Sequence, residues 1–267
     1  MSESPEEFHE FVCDLARRAG ELQLSRLDNP GDVTEKAPRD IVTDVDILCE
    51  NLLVEAIEER YPNDSILSEE RGGDISPTGR SWVLDPVDGT ANFARANPMF
   101  CCVVSVMEDG EVTNAAVAAP RIGDLYHARK GGGAFRDSGG RRTRLTVSDT
   151  GTIEYSFVGA DLSFSTKRNA KYRKPLEEIF ERSWQSRALG SAGIRGAWLG
   201  AGYLDISIGT RNTPWDYAQT VLLAKEAGGE ATDLDGRLWT PDSEGLVATN
   251  GHLHEEVIGI IQSGLRD

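Results

Sequence analysis

Residues 82–93 read WVLDPVDGTANF, and this stretch decides how the rest of the chain is interpreted. The apolar run Trp82–Leu84 is typical of a short buried strand, and α/β proteins commonly place their sites where such strands end. A proline-stiffened turn then brings together three oxygen donors, the carboxylates of Asp85 and Asp88 and the carbonyl of Val87. Hard oxygen ligands at close quarters are what Mg²⁺ prefers, so the stretch predicts a metal site.

The residues that follow this turn are suited to an anion. Gly89 leaves room for an anion to approach the backbone, and the amides of Gly89, Thr90 and Ala91 would begin a helical turn. Amides at the start of a helix attract phosphate. Carboxylates packed so closely repel one another unless cations join them. Because no competing nucleophile motif is present, the combination indicates metal-assisted phosphoryl transfer.

Three further acidic clusters stand at the edges of predicted elements. They are Asp40 with residues 43–46 (TDVD), residues 68–70 (SEE), and Trp215-Asp216. Taken singly, each is as consistent with a turn or a helix cap as with function.

Charge and cysteine usage narrow the class of protein. Among 267 residues the formal net charge is −16, which disfavours nucleic acid and anionic membranes as partners. No apolar run is long enough to span a bilayer, and the acidic start of the chain does not resemble a secretion signal. The four cysteines contain no Cys-x-x-Cys pair, so we expect no zinc site and infer reduced thiols in the cytoplasm. The histidines lie away from the acidic clusters and are not expected to be catalytic; they are His9, His127, His252 and His254.

The distribution of apolar residues predicts a layered αβ structure. Ser4 and Glu7 form a capping box for a helix running to about Leu27, and Thr43 caps a second helix that Tyr61-Pro62-Asn63 ends. Asp44 and Asp46 would lie off the buried stripe of that second helix. A short hairpin is expected at 32–42 and strands at 65–67, 82–84, 100–107, 112–119 and 125–128, with a turn at Asp109-Gly110 and a surface loop at 131–144. Beyond it we expect strands at 158–160 and 206–208 and helices near 168–183, 191–202, 216–227 and 253–262.

Several segments together resemble the inositol monophosphatase family, whose superfamily includes fructose-1,6-bisphosphatases. Residues 82–93 resemble the family's first signature, and residues 215–229 resemble the second. The intermediate pieces agree in order: 40–46 (DIVTDVD), 68–70 (SEE), 118–120 (AAP) and 131–135 (GGGAF). The likeness runs from roughly residue 5 to 260. It implies an α+β fold, a layered αβαβα sandwich, formed by one domain over 1–267 with an α+β half at about 1–150 and an α/β half at about 151–267.

The resemblance also implies roles for particular residues. Two or three Mg²⁺ ions would be held by Glu69, Asp85, Asp88, Asp216 and the Val87 carbonyl, with Asp46 helping to hold a further ion. Thr90, ordered by Asp46, would act with Glu69 to activate the water that attacks phosphorus. The substrate would contact Asp88, Gly89, Thr90, Ala91, Asp216 and the pocket segment Gly190-Ser191-Ala192.

The identity of the substrate is less constrained. The family member specialised for inositol has a glutamate seven residues before its Trp-Asp aspartate, where this chain has Gly209. Arg211 and Asn212 could instead bind hydroxyls or a second phosphate. The leading hypothesis is a Mg²⁺-dependent phosphomonoesterase for inositol 1-phosphate or a similar small polyol or sugar phosphate.

Other activities stay open. A fructose-1,6-bisphosphatase, or a dual activity, would use Arg211 or Arg187 at the distal phosphate, and histidinol phosphate and 3′-phosphoadenosine 5′-phosphate are further candidates. A non-enzymatic member that binds metal or a phospholigand is the alternative of another class, although every expected catalytic position is filled. The resemblance further implies a homodimer that acts on a small phosphorylated substrate, in addition to the cytoplasmic location expected from the cysteines.

Overall fold

The computed structural model describes residues 3–29, 31–37, 40–160 and 170–265. Helix α1 (Pro5–Arg26) begins at the predicted capping box, in which the Ser4 hydroxyl accepts from the Glu7 amide and the Glu7 carboxylate accepts from the Ser4 amide. A hairpin of strands β1 (Val33–Ala37) and β2 (Asp40–Thr43) follows, as predicted. Helix α2 (Asp44–Arg60) is then capped by Thr43.

The larger sheet has eight strands. In chain order they are β3 (Ser65–Ser68), β4 (Gly72–Gly73), β5 (Arg80–Asp88), β6 (Cys101–Glu108), β7 (Glu111–Ala119), β8 (Asp124–Arg129), β9 (Gly133–Ser138) and β10 (Arg141–Arg144). Their spatial order is β10-β9-β8-β7-β6-β5-β3-β4, and the β3–β5 pair is parallel whereas the other pairs are antiparallel. The short helix α3 (Thr90–Phe93) follows β5. The predicted turn joins β6 to β7, with positive φ at both Asp109 and Gly110, which suits a tight hairpin turn.

Strand β6 shows why this sheet is covered on both faces. Cys102, Val104 and Val106 pack with helices α1 and α2 on one side. Cys101 and Val103 alternate with them and pack on the opposite side. Because successive side chains of a strand point to opposite faces, a continuous apolar run marks a strand buried on both faces.

The prediction of a surface loop at 131–144 is wrong. Residues 133–138 and 141–144 form strands β9 and β10, and positive φ values at Gly139 and Gly140 make the turn between them. The arginines that suggested a loop lie on an exposed edge, where Arg142 pairs with Asp137 and with Glu10 of α1. Charged side chains are common on edge strands, because they oppose pairing with a further chain.

In the described part of the second half, the chain builds a five-stranded sheet and four more α-helices. They are β11 (Phe157–Ala160), α4 (Arg173–Arg182), β12 (Gln185–Arg187), α5 (Ala192–Gly200), β13 (Ile206–Gly209), α6 (Pro214–Glu226), β14 (Glu230–Thr232), β15 (Leu246–Thr249) and α7 (His254–Gly264). The strand order is β12-β11-β13-β15-β14. The predicted strands and helices of this half are confirmed where the residues are described, and residues 168–169 lie outside the described ranges.

The layers stack as an αβαβα sandwich, which confirms the predicted fold class. Helices α1 and α2 cover the outer face of the larger sheet, and α5 and α6 lie between the two sheets. Helices α4 and α7 pack on the far face of the smaller sheet. Among the described helices, none is both long enough and apolar enough to cross a bilayer.

Close packing of α5 against α6 yields a stability prediction. A methyl group at Gly196 of α5 would overlap the buried hydroxyl of Thr220 on α6, so Gly196→Ala should destabilise the protein by about 1–3 kcal/mol. Gly259→Ala is the matched control, because Gly259 lies in α7 with no atom within 4 Å of the added carbon. There alanine should stabilise the helix by about 0.5–1 kcal/mol. Urea denaturation measures both changes, and equal effects at the two sites would contradict this account of the packing.

Candidate active site

Carboxylates from three elements meet at one edge of the larger sheet. Asp85 and Asp88 lie at the end of β5, and Glu69 directly follows β3. Because β3 and β5 are parallel neighbours, their carboxyl ends coincide, and the Glu69 amide donates to the Leu84 carbonyl at 3.2 Å. Asp216, in the first turn of α6, completes a group in which one oxygen each of Asp85, Asp88 and Asp216 lies within 4.8 Å of the others. The structure thus brings together the predicted acidic residues.

Asp88 is held by the start of helix α5. Its carboxylate accepts from the Ser191 hydroxyl, from the amides of Ala192 (3.1 Å) and Gly193 (2.7 Å), and from the Cys101 thiol (3.2 Å). A helix N-terminus carries a partial positive charge that stabilises such an anion. The predicted pocket segment therefore positions a carboxylate as well as lining the cavity, which sequence reasoning missed.

Gly193 and Cys101 are site residues that the sequence analysis did not identify. A side chain at position 193 would place its first carbon 2.7 Å from the Cys101 sulfur, so glycine is required for the amide to reach Asp88. The available signal was the glycine two residues after the Ser191 N-cap. It could not be read as functional, because its partner Asp88 is 105 residues away.

Asp85 lacks the support that Asp88 receives. Its side chain is almost fully buried, and its Oδ1 has no hydrogen-bond partner within the described part of the chain. Burial, reinforced by the charges of Glu69 and Asp88, raises the pKa of Asp85 well above its usual range. A buried carboxylate without compensation is costly, so this donor set fits a hard divalent cation.

The pKa values of Glu69 and Asp216 are raised as well. Burial and the charge of Asp216 raise the pKa of Glu69 to about 8. Burial and the charge of Asp88 raise the pKa of Asp216 to about 7, although a hydrogen bond from Thr213 opposes this. Raised pKa values throughout the cluster indicate that cations are needed to keep it ionised near neutral pH.

Asp46 does not lie off the buried stripe of α2, so that expectation is wrong. Its carboxylate is buried because it closes the capping box, accepting from the amide (2.9 Å) and the hydroxyl (2.5 Å) of Thr43. The Thr90 hydroxyl lies 3.0 Å from both Asp46 Oδ1 and the Val87 carbonyl oxygen. Asp46 thus reaches the site through Thr90, in the contact that the family resemblance implies.

Lys36 is a further residue that sequence reasoning missed. From the β1–β2 hairpin its ammonium lies 2.6 Å from Glu70, 3.4 Å from Glu69 and 3.8 Å from Asp40. The predicted hairpin placed Lys36 near Asp40, but no spacing rule connects either residue to Glu69. The hairpin therefore brings a positive charge to the acidic side of the site.

A cavity of about 640 Å³ opens over these carboxylates. Every predicted substrate-binding residue lines it: Asp88, Gly89, Thr90, Ala91, Gly190, Ser191, Ala192, Arg211 and Asp216. Arg195 lines it as well. Arg187 is not among the described lining residues, since its guanidinium lies over the Phe157 ring, and Asn212 instead donates to the Asp242 carbonyl.

Tyr217 accounts for glycine at position 209. A side chain at Gly209 would overlap the Tyr217 ring and hydroxyl. That ring lines the cavity, and its hydroxyl accepts from the Arg211 amide at 3.3 Å. An aromatic hydroxyl therefore occupies the space next to position 209.

The raised pKa values predict how metal-free stability depends on pH. Glu69 and Asp216 bind protons more tightly in the folded state than at their ordinary pKa values of 4.5 and 3.8. Their contribution to stability is therefore complete at low pH and is lost as the pH rises through 7 to 8. We expect the Tm of metal-free protein to fall between about pH 5 and pH 8.5, and Mg²⁺ to raise Tm more at the higher pH.

Asp85→Asn is the control for this measurement. Removing one of the repelling charges should make the fall in Tm shallower and weaken the response to Mg²⁺. A Mg²⁺ response that is equal at both pH values, or unchanged in Asp85→Asn, would show that these carboxylates do not bind the ion.

Comparison with known proteins agrees with this geometry. Residues 4–266 match the inositol monophosphatase family. A fructose-1,6-bisphosphatase/inositol-1-monophosphatase from Thermotoga maritima is 31% identical over 94% of both chains, and a histidinol-phosphatase from Mycobacterium tuberculosis is 35% identical over 92% of both. The solved structure of a Thermotoga maritima IMPase superposes with a TM-score of 0.86 at 30% identity, covering 96% of this chain and 97% of that one. The two relatives are named as phosphatases, and this chain belongs to the inositol monophosphatase family.

Proposed function

We propose that the protein is a Mg²⁺-dependent phosphomonoesterase that hydrolyses inositol 1-phosphate or a similar small polyol or sugar phosphate. The observation that carries the proposal is the cluster of Asp85, Asp88 and Asp216 beneath a cavity lined by Thr90, in which Asp85 Oδ1 has no hydrogen-bond partner among the described residues. Family membership supports the reaction class.

The carboxylates of Glu69, Asp85, Asp88 and Asp216, with the Val87 carbonyl, would hold two or three Mg²⁺ ions, and Asp46 would help to hold a further one. Bound Mg²⁺ would supply Lewis-acid activation of water and neutralise charge that develops on the phosphoryl group and the leaving oxygen. The backbone at Gly89, Thr90 and Ala91 lines the cavity beside these acids. It would position the phosphate there.

Thr90 would orient the attacking water. Its hydroxyl proton is directed to Asp46 or to the Val87 carbonyl, each 3.0 Å away, so its lone pairs remain available to a donor in the cavity. A water that donates to Thr90 is held in one orientation, and a proton can pass through the hydroxyl to Asp46. Glu69, which also lines the cavity, would accept a second hydrogen bond from that water.

The polyol part of the substrate would contact the second half of the chain. Gly190, Ser191 and Ala192 present backbone, Arg211 presents a cation, and Tyr217 fills the space beside Gly209. Because no glutamate stands at position 209, recognition of ring hydroxyls would fall to Arg211 and the neighbouring backbone.

Fructose 1,6-bisphosphate is the second candidate substrate. Arg211 and Arg195 both line the cavity and offer positive charge to a distal phosphate. The Thermotoga maritima relative is named for both activities. Histidinol phosphate is the third candidate substrate, since the Mycobacterium tuberculosis relative is named for it. 3′-Phosphoadenosine 5′-phosphate is the fourth. A non-catalytic role in binding a phospholigand is the remaining alternative.

The same resemblance supports a wider proposal about the cellular form of the protein. We propose a cytoplasmic homodimer that acts on a small phosphorylated substrate and binds neither nucleic acid nor membrane. The net charge of −16 and four free, buried cysteines are consistent with this. Sedimentation at micromolar concentration tests the dimer directly.

Thr90 provides a test of the mechanism. Thr90→Ala should lower kcat by about 10²- to 10³-fold, because the water loses its orienting acceptor. Thr90→Ser is the matched control and should retain most activity, since it keeps the hydroxyl. Phosphate release at saturating Mg²⁺ measures both variants, and an unchanged kcat in Thr90→Ala would remove Thr90 from the mechanism.

Arg211 provides a test of the substrate. We would compare kcat/KM for inositol 1-phosphate, fructose 1,6-bisphosphate, histidinol phosphate and 3′-phosphoadenosine 5′-phosphate in the native protein and in Arg211→Gln. If Arg211 binds a distal phosphate, its loss should raise KM for the bisphosphate by about 10- to 100-fold, the worth of a charge-assisted hydrogen bond.

An equal change for monophosphates would instead place Arg211 at the polyol or the scissile phosphate. Asp216→Asn serves as the inactive control in this comparison. No turnover of any of the four substrates by native protein with Mg²⁺ bound would contradict the proposed function and favour the non-catalytic alternative.

A further inference from the structure

A second group of metal-ligating side chains lies between helix α1 and strand β8. His9 and Cys13 are one helical turn apart on the buried face of α1, and His127 projects from β8 toward them. His9 Nε2 lies 2.9 Å from His127 Nδ1 and 3.7 Å from the Cys13 sulfur, and the three atoms are all within 4.8 Å of one another. All three side chains are buried.

The hydrogen bond between His9 Nδ1 and Asn114 leaves His9 Nε2 as an acceptor that faces His127 and Cys13. Its Nδ1 lies 2.9 Å from the side-chain oxygen of Asn114, which can only accept, so Nδ1 carries the proton. His9 Nε2 then presents a lone pair to His127 and Cys13. A histidine ligand whose other nitrogen donates to an oxygen has its tautomer and ring orientation fixed as metal sites require.

His127 is poorly satisfied by hydrogen bonds alone. Its Nδ1 must donate to His9, which leaves Nε2 without a proton when the ring is neutral. That nitrogen is buried and has no hydrogen-bond partner among the described residues, and the closest carboxylate oxygen, of Asp137, lies 3.5 Å away. In the neutral ring, Nε2 and the Asp137 carboxylate are therefore two acceptors that face each other with no proton between them.

We propose that His9 Nε2, Cys13 Sγ and His127 Nδ1 form a binding site for a thiophilic divalent cation of the Zn²⁺ type, separate from the carboxylate site. The cation takes the place of the proton between the two histidines. The His127 proton then resides on Nε2 and donates to Asp137, which turns the unsatisfied contact into a carboxylate–histidine–metal arrangement.

The proton balance is simple. The Cys13 thiol releases one proton when its sulfur binds the cation, and His127 exchanges its Nδ1 proton for one on Nε2 with no net change. Because the cation competes with the thiol proton for the sulfur, binding should strengthen as the pH rises.

Two of the three ligand separations require only small adjustments, and the third, between His127 and Cys13, is within 4.8 Å. Tetrahedral zinc, with bonds of about 2.0 Å to nitrogen and 2.3 Å to sulfur, separates two nitrogens by about 3.3 Å and a nitrogen from a sulfur by about 3.5 Å. The His9–His127 pair at 2.9 Å must open slightly, and the His9–Cys13 pair at 3.7 Å is already close. Three protein ligands leave a fourth position for water.

Such a cation would link α1 to the larger sheet. Helix α1 also packs on β6 through Val12 and Ala16, beneath the strand that adjoins β5. Binding would therefore raise resistance to unfolding without adding a group to the carboxylate site.

Cobalt titration of the full-length, metal-free protein tests this proposal. Saturating Mg²⁺ is added first to fill the carboxylate site, and Co²⁺ is used because a cobalt–thiolate bond absorbs in the near ultraviolet. We expect one equivalent of Co²⁺ to produce that absorption in the native protein and in Cys49→Ser, a control that removes another buried thiol. Cys13→Ser should lose the absorption.

Asp137→Asn is a second variant that does not alter a ligand. It should weaken Co²⁺ binding by about 10- to 100-fold while keeping the absorption, as loss of a carboxylate behind a histidine ligand does. Zn²⁺ should raise the Tm of native protein and not that of Cys13→Ser. No thiolate absorption in the native protein, or absorption that persists in Cys13→Ser, would overturn the proposal, and both results are distinct from any change in phosphatase activity.

Discussion

Mutual repulsion among buried carboxylates is the constraint on which the rest of this structure depends. Asp85, Asp88 and Asp216 bring oxygens within 4.8 Å of one another, yet each is compensated differently. Asp88 receives two amides and a hydroxyl from the start of α5, and Asp216 receives the Thr213 hydroxyl. Asp85 Oδ1 has no partner within the described residues. The unequal compensation confines the unmet charge to one point beneath the cavity, where a cation is worth most.

The groups that donate hydrogen bonds to Asp88 and Asp216 come from the second half of the chain. The two sheets must therefore pack so that these groups reach the acids. The larger sheet supplies Asp85 and Asp88, whereas α5 and α6 supply the amides and Asp216. Asn92 closes the same junction, because its amide nitrogen lies within hydrogen-bond distance of the carbonyls of Leu189 and Gly190. The site can therefore assemble only when the two sheets pack correctly. A displacement of α5 would leave Asp88, in addition to Asp85, without hydrogen bonds that compensate its charge.

The structure could be predicted from the sequence where its determinants are local. The capping box at Ser4 and the N-cap at Thr43 predicted the starts of both outer helices, and residues 82–93 predicted the strand end that carries the acids. The sequence did not allow a correct prediction where a residue contacts a partner that is distant in the chain. Residues 131–144 looked like a loop because the acids that pair with Arg142 lie partly on α1. The contact of Asp46 with Thr90, 44 residues away, was likewise not encoded in any local spacing. Lys36 and Gly193 gained their roles only through tertiary contacts that no spacing encodes.

The two clusters of ligand-type side chains show what a spacing rule can detect. From sequence, Glu69 and Asp216 were grouped with Asp85 and Asp88 only through the family resemblance. The structure explains part of this grouping, because the parallel neighbours β3 and β5 end at the same edge of the sheet. His9 and Cys13 also have a readable spacing, one helical turn, but their third member lies 118 residues beyond His9 on an antiparallel strand. No zinc site was expected from the sequence because the four cysteines lack the Cys-x-x-Cys spacing. The proposed site would instead combine two histidines and one thiol, brought together by the packing of α1 on the sheet, without that signature.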